Sequence, residues 1–110
     1  MTIVHGTWGD RSILFESDSC LVALLKLKSK ERCSWHSHDT AYNKFYVFSG
    51  ILAVKTEHGF TVLMPGESFL VPPGTYHEFQ TPNTEATIIE VAYTKYDTGD
   101  IHRETAGGNL

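Results

Sequence analysis

His36 and His38, one residue apart, are followed by Asn43, Gly50, Gly66, Pro72-Pro73-Gly74 and His77. Alternate residues of a strand project to one side, so a strand over Ser34–His38 would aim both imidazoles at a common point. His77 follows a Pro-Pro-Gly turn, which fixes where its strand starts and so where its ring is directed. Asn43 lies across a loop that can place it on the adjoining strand. Three imidazoles converging in this way make a site for a divalent ion, with Asn43 as a weak amide-oxygen ligand or as the guard of an open position. A His-x-His pair alone could equally sit on a solvent-facing strand edge. The third histidine and the turns at fitting spacings are what point to a metal. Neutral imidazole suits several divalent ions, so zinc, manganese, iron and nickel all stay open as the cofactor.

These side chains need a scaffold of short strands, and the remaining sequence reads that way. Ile13–Glu16 and Leu21–Lys28 are β-rich runs separated by Ser17-Asp18-Ser19, and Ser29-Lys30-Glu31-Arg32 turns the chain into Ser34–His38. Lys44–Phe48 ends at Ser49-Gly50, and Ile51–Glu57 and Phe60–Leu63 are joined by a tight hairpin at His58-Gly59. Ser68–Val71, His77–Thr81 and Ala86–Thr94 complete about nine strands, bounded by Met64-Pro65-Gly66 and the Pro-Pro-Gly turn. No segment keeps helical periodicity over three turns. The Gly107-Gly108-Asn109-Leu110 tail is expected to fray. An all-β barrel is the economical architecture.

The bulk composition bounds the rest. With 110 residues the chain has room for one domain, taken as 1–110. A net charge of −4 gives no reason to expect nucleic acid or an anionic membrane as a partner. No apolar run is long enough to span a bilayer, and the N-terminus lacks the basic and apolar regions of a secretory signal. Cys20 and Cys33 make no disulfide framework and are expected reduced, which gives a cytoplasmic location by default. Exposed strand edges and the small barrel lead to the expectation of a homodimer.

The spacings resemble the two motifs of the cupin superfamily, Gly-x5-His-x-His-x4-Glu-x6-Gly and Gly-x5-Pro-x-Gly-x2-His-x3-Asn. Here the chain has His36-x-His38-x4-Asn43-x6-Gly50, fifteen intervening residues, then Gly66-x5-Pro72-x-Gly74-x2-His77. Lys30 stands at the first glycine, Asn43 at the glutamate and Thr81 at the final asparagine. The resemblance implies a small cupin barrel, a double-stranded β-helix or jelly roll, with His36, His38, His77 and Asn43 as the metal set. The ends resemble the type II mannose-6-phosphate isomerase cupin, also found behind GDP-mannose pyrophosphorylases. Trp8-Gly9, Phe45–Gly50, Ile89-Glu90-Val91 and the segment Tyr96–Arg103 carry that likeness. The departures fall at the chemistry: His36, Ala41 and Asn43 stand where that family has Gln, Arg and Glu, and Ala23 and Leu24 replace a basic pair. The phosphate clamps of that family are therefore missing.

Three neutral imidazoles and a neutral amide cancel none of the charge on a divalent ion. Such a centre favours a small polar or anionic substrate that supplies the missing charge. One reading is an isomerase-type enzyme on a small hydroxylated or sugar-like substrate, with Glu90 as the base if it faces inward, and Tyr76, Tyr46 or Lys26 as helpers. The alternation with Ile89 and Val91 leaves the facing of Glu90 open. A second reading is a three-histidine Fe(II) dioxygenase, which neutral ligation and open positions would suit. A third is a non-catalytic module that binds sugar or another small ligand. Phe45, Val47, Phe69, Val71 and Phe79 read as wall and core.

Overall fold

The computed structural model describes residues 2–94 and 109, so the segment Tyr96–Arg103 and most of the expected tail lie outside the described residues. Ten antiparallel strands are formed among the described residues. They are β1 (Thr2–Gly6), β2 (Gly9–Glu16), β3 (Cys20–Leu27), β4 (Glu31–Arg32), β5 (Tyr42–Ser49), β6 (Leu52–Thr56), β7 (Gly59–Leu63), β8 (Ser68–Val71), β9 (His77–Thr81) and β10 (Ala86–Tyr93). One sheet runs β1-β2-β3-β10-β5-β8 and the other β4-β9-β6-β7. The chain crosses between them repeatedly, as a jelly roll does. No helix long and apolar enough to cross a membrane occurs among the described residues.

The core lies between the sheets and is set by strand alternation. On β10, Ala86, Ile88 and Glu90 face inward, opposite Leu27, Leu25 and Ala23 of β3. On its other side β10 meets β5, where Ile88 pairs with Val47 and Glu90 with Phe45. Phe45, Leu25, Leu52, Ile88 and Val54 are fully buried. Burying each such side chain contributes about 1.5–3 kcal/mol. On β5 and β10 the inward residues change from apolar to polar toward one end, at Asn43 and Glu90, and the functional residues gather there.

Three expectations need correction. Ser34–His38 is not a strand: it is an extended loop joined to β9 by a single bridge, His36 to His77. The first strand pair, β1 with β2, begins well before Ile13. The β6–β7 turn is Glu57-His58, with Thr56 paired to Gly59, one residue earlier than His58-Gly59. Gly59 then opens β7 at φ 113°, so its backbone freedom is used beside the turn rather than in it. Gly50 is required on two counts: its φ is 81°, and a Cβ there would lie 2.0 Å from the Glu85 carbonyl oxygen. Lys30, at the first motif glycine, keeps a left-handed φ of 62° with a side chain present. Cys20 and Cys33 are both free thiols.

Candidate metal centre

The loop carrying His36 and His38 is held without being a strand. His36 N–H donates to the His77 carbonyl at 3.1 Å and His77 N–H returns the bond at 2.8 Å. Two residues on, the His38 carbonyl accepts the Gly74 N–H at 2.8 Å, so the Pro-Pro-Gly turn fixes the second ligand as well as the third. The three rings are brought together, with centroids 4.4 Å apart for His36 and His77, 5.0 Å for His36 and His38 and 5.6 Å for His38 and His77. One ring nitrogen from each lies within 4.8 Å of the others.

Hydrogen bonds set the tautomers. His36 Nδ1 faces the Ser34 carbonyl at 2.8 Å, and His77 Nδ1 faces the Thr75 carbonyl at 3.0 Å. A carbonyl only accepts, so both Nδ1 atoms carry the proton and both Nε2 atoms keep a lone pair. His77 Nε2, His38 Nε2 and Asn43 Oδ1 are buried with no hydrogen-bond partner among the described residues. Leaving one such atom unpaired costs about 1–3 kcal/mol, and three together are a strong mark of a missing ligand. His38 is held below the ordinary histidine value of 6.5 mainly by burial and then by the His36 charge. His77 is lowered chiefly by burial, with its bond to Thr75 opposing the shift. Both are neutral at neutral pH, the state a metal ligand needs. The donor set therefore fits a divalent ion.

Asn43 is 3% exposed, and its inward direction follows from β5 alternation with Phe45 and Val47. Its Nδ2 donates to Glu90 Oε2 at 3.2 Å, which turns Oδ1 away from the carboxylate. Glu90 faces inward at 6% exposure. Its other oxygen, Oε1, accepts from Arg11 Nη2 at 2.7 Å and Arg11 Nε at 3.1 Å. Arg11 is the participant that sequence reasoning missed. The signal was present in the alternation Gly9, Arg11, Ile13: Arg11 stands opposite Leu25, whose side chain points inward.

His36, His38, Asn43, Glu90 and Arg11 line one cavity of about 250 Å³, whose apolar wall comes from Trp8, Leu25, Phe79, Ala41 and Ala92. Cys33 also borders it, but burial pushes its thiol up to about 11, so it is a neutral thiol at neutral pH and a poor ligand. Its sulfur accepts the Phe79 N–H at 3.1 Å. Tyr76 is elsewhere: 44% exposed, it stacks on Trp35 with centroids 5.8 Å apart and does not line the cavity. Tyr46 is 40% exposed, and Lys26 points out of the barrel beside Leu25 and Leu27. Thr81, at the motif's last position, is buried and gives its hydroxyl to the Lys28 carbonyl.

The model of the cupin domain family matches residues 23–92. No curated protein matches by sequence. Among solved structures, KdgF from Halomonas sp. superposes with a TM-score of 0.74 at 20% identity, covering 83% of this chain and 84% of that one. An RmlC-like cupin from Shewanella frigidimarina gives a TM-score of 0.75 at 23% identity over 86% and 84% of the two chains. A cupin described as a sugar phosphate isomerase, from Silicibacter pomeroyi, gives 0.69 at 19% identity over 80% and 60%. At these identities the likeness is one of fold.

Proposed function

Since the chain belongs to the cupin domain family, we propose that it is a metal-dependent enzyme acting on a small polar or anionic substrate in the cavity beside His36, His38 and His77. One observation carries this reading: three buried, unpartnered donor atoms, His38 Nε2, His77 Nε2 and Asn43 Oδ1, two of them on residues that line an open cavity. A closed structural site would have left no space for a ligand beside its donors. A divalent ion bound there supplies Lewis acidity toward an oxygen of the substrate.

The chain's own residues divide the remaining work. The histidines hold the ion, and Asn43 offers its amide oxygen as a neutral fourth group. Glu90 is the candidate acid–base group, because it borders the cavity and its Oε2 is tied only by the 3.2 Å bond from Asn43. Arg11 keeps the other oxygen occupied and so fixes which one is free to exchange a proton. Tyr76, stacked on Trp35, is less well placed for proton transfer. This assignment favours proton-transfer chemistry of the isomerase type, the activity of the type II mannose-6-phosphate isomerase that the chain's ends resemble. The neutral donor set favours a second reading, oxygen chemistry at iron.

Metal analysis of protein purified without added ions tests the proposal. One equivalent of metal, lost in His77→Ala, is the expected result. Solvent-deuterium incorporation into a sugar substrate would favour the isomerase reading, and oxygen uptake with iron but not zinc would favour the second. A protein that takes up no metal from any of the four candidate ions, and whose His36→Ala variant is equally stable, would remove the metal centre.

A further inference from the structure

We propose that the ligand of this cavity is a small carboxylate with a compact apolar body, and that Arg11 is the residue that recognises its carboxylate. The inference rests on the metal-centre reading and deepens it by naming the ligand class.

Charge is the first argument. Among the described residues, Arg11 and Glu90 are the charged side chains lining the cavity, and they cancel each other through the 2.7 Å and 3.1 Å bonds. Asn43 draws on Glu90 as well, but as a neutral amide it adds no charge. Once a divalent ion is held by neutral imidazoles, its two positive charges are uncompensated in a partly enclosed space. An uncharged polyol would leave that imbalance in place, whereas an anion relieves it.

Donor count is the second. A guanidinium has five N–H donors in a planar fork. Glu90 takes two of them, and the other three have no partner among the described residues. Its side chain is 32% exposed, so it meets solvent as well as Glu90. A planar carboxylate matches two parallel N–H groups of such a fork. Among the described residues no lysine and no second arginine lines the cavity, so a phosphate dianion would find a single cation among those side chains.

The wall is the third. Trp8, Leu25, Phe79, Ala41 and Ala92 offer few partners to the several hydroxyls of a sugar. They offer good burial to a short aliphatic or aromatic group. The volume of about 250 Å³ lies below the usual span of small-molecule sites, so the body must be compact.

Calorimetric titration of the metal-loaded protein with mandelate, its neutral amide mandelamide, and mannose 6-phosphate tests the assignment. Mandelate is expected to bind at least tenfold more tightly than either competitor. Arg11→Gln alone would leave Glu90 buried and unpaired and could unfold the chain. The double variant Arg11→Gln/Glu90→Gln replaces the ion pair with two neutral amides. It is expected to take up metal yet prefer mandelate over mandelamide at least threefold less strongly than wild type does. Equal binding of acid and amide, or tighter binding of mannose 6-phosphate, would overturn the carboxylate assignment, and an undiminished preference in the double variant would overturn the role of Arg11. Metal uptake is measured first, so its failure counts against the metal centre alone. Metal-free wild-type protein is titrated in parallel. A preference for mandelate there, lost in the double variant, would uphold Arg11 without the ion.

Discussion

Asn43 uses the two ends of its amide differently: Nδ2 donates to Glu90, and the buried Oδ1 has no hydrogen-bond partner among the described residues. The carboxylate that cupin motifs carry at this position is therefore present, but one hydrogen bond further out. Asn43→Asp would place two acceptors face to face and leave Glu90 Oε2 without its donor. We expect the metal-free variant to lose about 1–3 kcal/mol of stability. Its added negative charge should make the stabilisation by zinc or manganese larger than in wild type. Thermal unfolding with and without the ion measures both effects, and an unchanged metal increment would exclude Asn43 from the ion's surroundings. The histidines give a second expectation. His38 and His77 are held below 6.5 in the folded state, chiefly by burial. Above that pH both are neutral folded or unfolded, so the metal-free protein has its full stability. Below it the unfolded chain binds protons that the folded chain refuses, and stability falls as pH drops through 6.5 toward the lowered folded values. Urea midpoints of metal-free protein between about pH 8 and about pH 5 should decline in that direction, and less steeply in His77→Asn.

Among the elements, the loop before the metal ligands shows how the fold tolerates altered motif letters. Lys30 holds a φ of 62° while its N–H donates to the Thr81 carbonyl at 2.5 Å. A left-handed residue with a Cβ costs about 1–2 kcal/mol, and the extra backbone freedom of glycine in the unfolded chain returns part of that. Lys30→Gly is therefore expected to raise stability by up to about 1 kcal/mol, seen as a melting temperature higher by about 4 °C. A lower melting temperature would mean that the lysine side chain itself stabilises the turn. Much of this architecture was legible in the sequence, because turn glycines, prolines and the His-x-His spacing are local signals. The inward facing of Glu90 was not. Ile89 and Val91 on the outer face are as apolar as Ala86 and Ile88 inside, so alternation alone left both sides open. Arg11 was missed for a related reason: β2 is defined by pairing with β1 and β3, and Gly9, Asp10 and Ser12 carry no strong strand propensity. The histidine loop was misread as a strand because its geometry comes from bonds to His77 and Gly74 rather than from a ladder.

For the molecule as a whole, ligand and fold are linked through mass action. An ion that binds the folded state alone stabilises it by about 2.7 kcal/mol at one hundred times its dissociation constant. Addition of a chelator to metal-loaded protein should lower the melting temperature by an amount that grows with the free metal concentration used as reference. A melting temperature indifferent to both would show that the centre is not loaded. The bridge between His36 and His77 has a topological consequence as well. These two ligands are joined in sequence by a long excursion through β5, β6, β7 and β8. An ion shared between them closes that excursion into a ring of about forty residues, much as a covalent cross-link would. The metal then acts as a removable clasp, and strands that never touch it should exchange their amide hydrogens more slowly when it is fastened.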